Sequence, residues 1–532
     1  MKIKNLFVAM LAGAAMVSCS NEDFESGVNN GAIQKGEQSF LAVNLSTLTR
    51  SADTPSFEAG SADENKVNDV AFFFFDTNGN AYDVATEGVS NRLDKGYEEL
   101  TVNSGNVNVE EISKPVLLIE ESKQVPPQKI VAVLNCPIED DNISLAQLQA
   151  KVGAYNTITV GEKAYFVMSN SVYKNEATGE EVVATDIPAL SISHNAEEAL
   201  AHPVTIFVER VAAKVTVSTN YAEGKTSFNT GETTSENGTE IYAQVTGWEV
   251  VNAKTQAPLL KDIDATAWAN FTWNWNDAAN YRSYWAVNTA DDNIIRSLSW
   301  DMANVDSRYY YENTDITNVD VATTNQLEGN QSYLLVKAQF VDAAGNSLAG
   351  KIAEWYGAKY TLAALKEQFA NAVATQIYVV NEDGKTAESI QPADITFYQE
   401  DENASEKRYL CYATLTEDAA EKEFVSGVDE DGEFITMTVE EVNEILAGVR
   451  PAKIWEAGGY YYLPIAHNAT VNGLVRNHVY QMNINGITGL GTPVYDPDML
   501  ITPEKPTEDA SFISAEIQVL SWKVVVNNTV LQ

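Results

Sequence analysis

Short segments in which apolar and polar residues alternate, each closed by a tight-turn signal, recur along this chain and commit it to sheets with an inward face. In Tyr333-Leu-Leu-Val-Lys-Ala-Gln-Phe340, residues Leu334, Val336, Ala338 and Phe340 share one side, because successive side chains of a strand point to opposite faces. The turns Asp76-Thr-Asn-Gly79, Asp383-Gly384, Asp431-Gly432, Asn472-Gly473 and Asn485-Gly486 suit hairpins. Such spacing predicts antiparallel β-sandwiches. Helices are few. Ser144-Leu-Ala-Gln147 forms a capping box with Gly153 as a stop, Thr438-Val-Glu-Glu441 forms another ending at Gly448, and Thr361 to Val373 is the longest helical pattern. They read as decorations on β domains.

A flexible stretch, Ser51 to Asn65, precedes Val67-Asn-Asp-Val-Ala-Phe-Phe-Phe-Phe75. Four consecutive phenylalanines cannot alternate in and out of water, so this strand is expected to be central and covered on both faces. A second domain is expected to start near Val208-Glu-Arg-Val-Ala-Ala-Lys-Val-Thr-Val217. The organisation is then a signal peptide over 1–19, a tether and first strand over 20–50, an N-terminal sandwich over 51–207 and a C-terminal sandwich over 208–532. A proline-rich link, Thr492 to Pro506, precedes the closing strand region, about 511–532.

Lys2 and Lys4 precede an apolar run from Leu6 to Val17 that stops at Ser18-Cys19, the three regions of a secretory signal. The run is too short for a membrane-spanning helix. Met16-Val17-Ser18-Cys19 fits a lipobox, so Cys19 is expected to be lipidated and to become the first residue of the exported chain. Ser20 to Gly36 is a polar tether that cannot bury enough apolar surface to fold. Its Glu22-Asp23 pair, just after the lipidated cysteine, resembles a surface-export signal and points to the outer leaflet of the outer membrane.

With 75 acidic and 34 basic residues, the formal charge of −41 repels nucleic acid, which excludes it as a partner. Cys136 and Cys411 are the remaining cysteines; both lie in strand-like apolar runs, where buried free thiols are expected. His194, His202, His467 and His478 lack metal-site spacing. There is no phosphate-binding loop and no nucleophile elbow, and Gly486, Gly489 and Gly491 lead to Pro493 instead of a helix. The acidic loops at Asp76 and Asp429 lack the glycine that a calcium loop needs at its sixth position and read as hairpin turns. Trp268, Trp273, Trp275 and Trp285 mark the densest aromatic region, which reads as core, or if exposed as a sugar-stacking surface. No catalytic residue, metal or cofactor is predicted.

Several segments together resemble the fimbrillins, the FimA-like and minor-fimbria-like type V pilus subunits of Bacteroidales. They are the lipobox, Phe74-Phe-Asp-Thr-Asn-Gly79, Val208-Glu-Arg-Val-Ala-Ala-Lys214, Tyr281-Arg-Ser-Tyr-Trp285, Val475-Arg-Asn-His-Val-Tyr480 and Val519-Leu-Ser-Trp-Lys523. The resemblance implies two tandem transthyretin-like antiparallel β-sandwiches assembled by strand exchange. It further implies a lipoprotein precursor, an Arg-specific extracellular protease that removes the first strand, and a neighbour's terminal strand that fills the groove left behind. Here Ser39-Phe-Leu-Ala-Val-Asn-Leu45 is a credible strand, and Arg50 stands five residues later before small and polar residues, matching the maturation site by position.

At the far end Trp522, Val524, Val526 and Val530 share one face, as a donor strand requires. The alternative is that this segment closes its own sandwich. Head-to-tail exchange with identical or related subunits does not close on itself and makes a filament, with anchor and tip fimbrillins as further partners and an unknown surface receptor. The resulting expectation is a structural subunit: a lipid-anchored precursor at the outer membrane, then part of an extracellular fimbria supporting adhesion. Two other readings are a monomeric glycan-binding surface lipoprotein and a tip or accessory subunit without a donor strand.

Overall fold

The computed structural model describes residues 39–48, 288, 294–295, 298–313, 332–348, 351–399, 409–465, 512–521 and 525–526, with most of 61–263 and 473–501. The chain is mostly β, as expected. Its first half contains β1 (Ser39–Leu48), β2 (Asp69–Phe75), β3 (Val109–Ser113), β4 (Val116–Ile119), β5 (Lys129–Leu134), β6 (Met168–Asn170), β7 (Ile192–Ser193) and β8 (Val204–Arg210). The main sheet runs Arg92–Gly96, β2, β5, β6, β8, β1, β3, Asn103–Asn106.

β2 meets the expectation of a central strand. Phe72 and Phe74 enter one core with Ile130, Leu134, Ile206 and Val208, while Ala71, Phe73 and Phe75 enter another with Val131, Val133 and Leu148. All four phenylalanines are fully buried, each stabilising the fold by about 1.5–3 kcal/mol. Helix α1 (Leu145–Gln149) carries the Ser144/Gln147 capping box. It stops short of Gly153, whose backbone is instead paired with Ala257.

The second half is a sandwich of two five-stranded sheets. Its strands are β9 (Ala212–Thr219), β10 (Phe228–Thr233), β11 (Glu240–Val251), β12 (Ser307–Tyr311), β13 (Tyr333–Val341), β14 (Gly458–Pro464), β15 (His478–Thr488), β16 (Thr492–Val494), β17 (Phe512–Ser521) and β18 (Val525–Val526). One sheet is ordered β12, β9, β15, β17, β18 and the other β10, β11, β13, β14, β16. The alternating residues Leu334, Val336, Ala338 and Phe340 meet Trp248, Leu463, Tyr480 and Met482 between the sheets, so the period-two reading of β13 identified its core face.

Two features depart from a pair of purely antiparallel sandwiches. β1 runs parallel to β8, and β9 runs parallel to β15. Parallel neighbours need long crossovers, and each pair here is joined through most of its half of the chain, which local pattern does not register.

The second departure is a third core between β13 and β14. Helices α2 (Leu362–Val373) and α3 (Val439–Gly448), capped by Thr361 and Thr438, bury Leu365, Phe369, Val442 and Leu446 with Phe397, Ala413 and Phe424. The helices therefore build the centre of an inserted lobe and are not ornaments on a sheet. The chain re-enters the sandwich at Gly458 and Gly459, where a Cβ on Gly459 would lie 2.3 Å from the Leu490 carbonyl oxygen.

Candidate functional site

The first strand occupies an interior position. Val43 to Thr47 pair in parallel with Val204 to Val208 of β8, and Leu45 to Leu48 pair with β3 on the other side. The preceding residues, Ser39 to Ala42, pair with β4, and Phe40 and Leu41 also pair with β7. β1 thus bonds to strands on both its edges and joins two groups of strands. Val204, Ile206 and Val208 beside it are buried in the same core as Phe72 and Phe74. Loss of β1 would leave the edges of β8, β3 and β4 unpaired, and unpaired edges of this kind template a new strand. Cys19 and Arg50 lie outside the described residues, with Arg50 two positions beyond the end of β1.

The closing strand sits differently. Phe512 to Ser521 run antiparallel to β15, from Thr488↔Phe512 to His478↔Ser521. On the other edge, among the described residues, β17 pairs with Val525 and Val526. In the single chain, then, residues 512–521 belong to its own C-terminal sheet. Val526 stands in β18 opposite Gln518, whereas Trp522, Val524 and Val530 lie outside the described residues.

Between these two ends lies a buried polar junction that the sequence reading did not resolve. β8 and β9 are consecutive strands separated only by Val211, itself fully buried. Arg476 makes a bidentate pair with Glu312, Nε donating at 2.6 Å to Oε2 and Nη2 to Oε1. Two further guanidinium protons go to the carbonyls of Leu259 (3.1 Å) and Pro258 (2.6 Å).

Burial works against the Arg476 charge, but the Glu312 carboxylate more than offsets it and holds the guanidinium pKa above its ordinary value. A second pair, Lys261 Nζ to Glu209 Oε2 at 2.7 Å, is also fully buried. There desolvation dominates, pushing the Glu209 carboxyl up and the Lys261 amine down. Asn477, at φ 58°, donates its backbone N–H to the Ala212 carbonyl at 2.7 Å and accepts from Arg210 Nη1 at 3.3 Å. Two of the motifs that carry the family resemblance, 208–214 and 475–480, therefore meet each other here.

Glu64 ties the start of the first domain into the same junction. Its carboxylate accepts from the Ser61 N–H (2.7 Å) and the Tyr309 hydroxyl (2.7 Å), and it pairs with Lys214 Nζ at 2.9 Å. Its carbonyl accepts from Arg210 Nε at 3.0 Å. Desolvation raises the carboxyl pKa, but Tyr309, Ser61 and Lys214 together overcome it and bring the value down to about 2.

The remaining candidates take structural roles. Cys136 and Cys411 are free and buried, and burial raises each thiol to about 12, far from the thiolate character that reactivity needs. The Asp76 carboxylate accepts backbone N–H groups of Asn78 (2.8 Å) and Asn80 (2.9 Å). Asp429 does the same for Asp431 and Glu433, each at 2.9 Å. Both loops are turns closed on their own aspartate, a device repeated by Asp342 with Ala344 and Asn346. His478 is buried, its Nδ1 2.8 Å from the Arg476 carbonyl oxygen. Trp268, Trp273, Trp275 and Trp285 lie outside the described residues. Among the described residues no cluster of three metal-ligating side chains occurs.

Residues 455–528 match the family model for the C-terminal region of fimbrillin, the major fimbrial subunit protein type IV. No curated protein matches the chain. Among solved structures, the fimbrilin FimA of Porphyromonas gingivalis W83 aligns at 14% identity over 91% of this chain and 99% of that one, with a TM-score of 0.34. A candidate cell adhesion protein of Parabacteroides distasonis ATCC 8503 aligns at 11% identity over 93% and 99%, with a TM-score of 0.34. The tip fimbrial protein Mfa3 of P. gingivalis with C-terminal truncation aligns at 11% identity over 90% and 99%, with a TM-score of 0.31. The family match spans β14 to β18 and includes Arg476, so the similarity to the C-terminal region of fimbrillin falls on Trp455 to Asn528.

Proposed function

We propose that this chain is a structural subunit of a cell-surface pilus, exported as a lipoprotein through Cys19, matured at Arg50 by an Arg-specific extracellular protease and polymerised by donor-strand exchange. It acts as a building block that supports adhesion, with like or related subunits, anchor and tip fimbrillins as its partners. The observation that carries the reading is the place of β1, an interior strand on which two groups of strands close and whose last residue precedes Arg50 by two positions. Cleavage there severs the only covalent link between β1 and the rest of the fold. A strand that then departs leaves a groove with unpaired backbone on both sides. A neighbour's C-terminal segment, with Trp522, Val524, Val526 and Val530 on one face, has the alternation to fill it.

Among the described residues, the placement of the other arginines supports cutting at Arg50; Arg282, Arg296 and Arg408 lie outside them. Arg50 is the first arginine in the chain, and the next is Arg92. Arg92 is engaged by Asp94 at 2.7 Å, Arg210 and Arg476 are buried, and Arg308 pairs with Glu249 at 3.1 Å. Arg450 precedes Pro451, a bond that trypsin-like enzymes cut poorly. Purified protein beginning at Ser20, treated with an Arg-specific protease and run on a denaturing gel without boiling, should show a ladder of polymers. The Arg50→Ala variant should stay monomeric. Monomer alone after confirmed cleavage at Arg50 would refute polymerisation by this route.

A further inference from the structure

We propose that Glu64 is the fixed point that separates the part of the chain that leaves on maturation from the part that stays. This deepens the maturation reading and rests on it for its biological meaning, though the clamp itself is a property of the fold.

β1 and β8 run parallel, with Thr47 opposite Val208, so the C-terminal end of β1 lies toward the junction end of β8. The chain returns to that same junction at Glu64. Three separate strands hold it there: Arg210 of β8 at the carbonyl, and Lys214 of β9 and Tyr309 of β12 at the carboxylate. Ser61 Oγ also accepts from the Glu64 N–H at 3.2 Å, closing a local turn.

Immediately afterwards Val67 is buried, the Asn68 N–H donates to Asn135 Oδ1 at 2.7 Å, and Asn135 Nδ2 donates to the Lys66 carbonyl at 2.9 Å. Everything from Glu64 onward is thereby tied to β2 and the junction. A carboxylate buried against a lysine, a tyrosine hydroxyl and a backbone N–H is a stronger tether than a solvated loop contact. Cleavage upstream can release β1 without loosening β2, whose four phenylalanines form the centre of the domain.

Thermolysin reads this boundary directly, because it cuts before large apolar residues and the segment offers Phe57 ahead of the clamp and Val67 behind it. Native full-length protein is digested and the new N-termini are followed by mass spectrometry, with and without prior Arg-specific cleavage. Wild type should give termini at Phe57 and persist. Glu64→Ala should add a terminus at Val67, appearing at least about tenfold faster than in wild type. Glu64→Gln, which keeps an acceptor for Ser61 and Tyr309 but loses the charge facing Lys214, should fall between them. Near-ultraviolet circular dichroism establishes that each variant is folded before digestion.

Equal rates at Val67 in wild type and Glu64→Ala would overturn the clamp. Should Glu64→Ala not fold, Glu64→Gln and Lys214→Met carry the same comparison. Failure of Arg50 to be cut would refute the maturation reading alone, since the thermolysin arm does not use it.

Discussion

The first and last strands of this protein are held in opposite ways. β1 is interior, paired on both edges and shared between two groups of strands, so its removal opens the fold from within. Among the described residues, β17 pairs along its full length with β15 and on its outer edge with Val525 and Val526. An interior strand makes a site that must be refilled, while a strand near an edge can lose what lies beyond it with little effect on its own sheet. Under the proposed strand exchange, the slot of β1 is the acceptor and the segment beyond β17 the donor, with no difference in strand chemistry required.

The sharpest way to break the contrast is through the junction that joins the two halves. Arg476→Met leaves Glu312 charged and buried without its bidentate partner, and should lower stability by about 3–5 kcal/mol, read by denaturant melts. The double variant Arg476→Met, Glu312→Leu should recover much of that loss. If the single variant melts like wild type, the Arg476–Glu312 pair does not stabilise the junction.

A smaller effect follows from Glu64. Its carboxyl lies near 2 in the fold against 4.5 unperturbed, so its stabilisation is complete above about pH 4.5 and fades as the pH falls toward 2, amounting to about 3 kcal/mol at most. Glu64→Gln should therefore differ most from wild type at pH 6 and approach it as the pH falls through about 2. A constant difference across that range would place the stabilisation elsewhere.

The smallest effect belongs to the tail. Deleting Lys523 to Gln532 should change the melting of the monomer by about 0.5 kcal/mol or less, while leaving a processed subunit that cannot extend a filament. Normal filaments from that truncation would remove the donor role.

Much of the fold was legible because it depends on near neighbours in sequence. The Phe72–Phe75 run could only be a doubly covered strand, the alternation in β13 named its own core face, and both capping boxes formed as read. The junction was not legible. Charged residues in strands ordinarily face water, and the partners of Arg476 lie 164 to 218 residues upstream, at Glu312, Leu259 and Pro258, beyond the reach of any periodicity. The motifs 208–214 and 475–480 carried a resemblance without a reason, and their mutual contact supplies one. The inserted lobe escaped for a related cause: the short amphipathic patterns of α2 and α3 show that each has a buried face but not what covers it.

Val211 has a mechanical meaning. Because one residue joins β8, beside the slot of β1, to β9 in the C-terminal sheet, a pull applied at the slot reaches the second sandwich through continuous extended backbone. No loop lies between Val204 and Thr219 to pay out under tension. A string of such subunits would stretch little before a strand let go, and its compliance would sit at the contacts between neighbours.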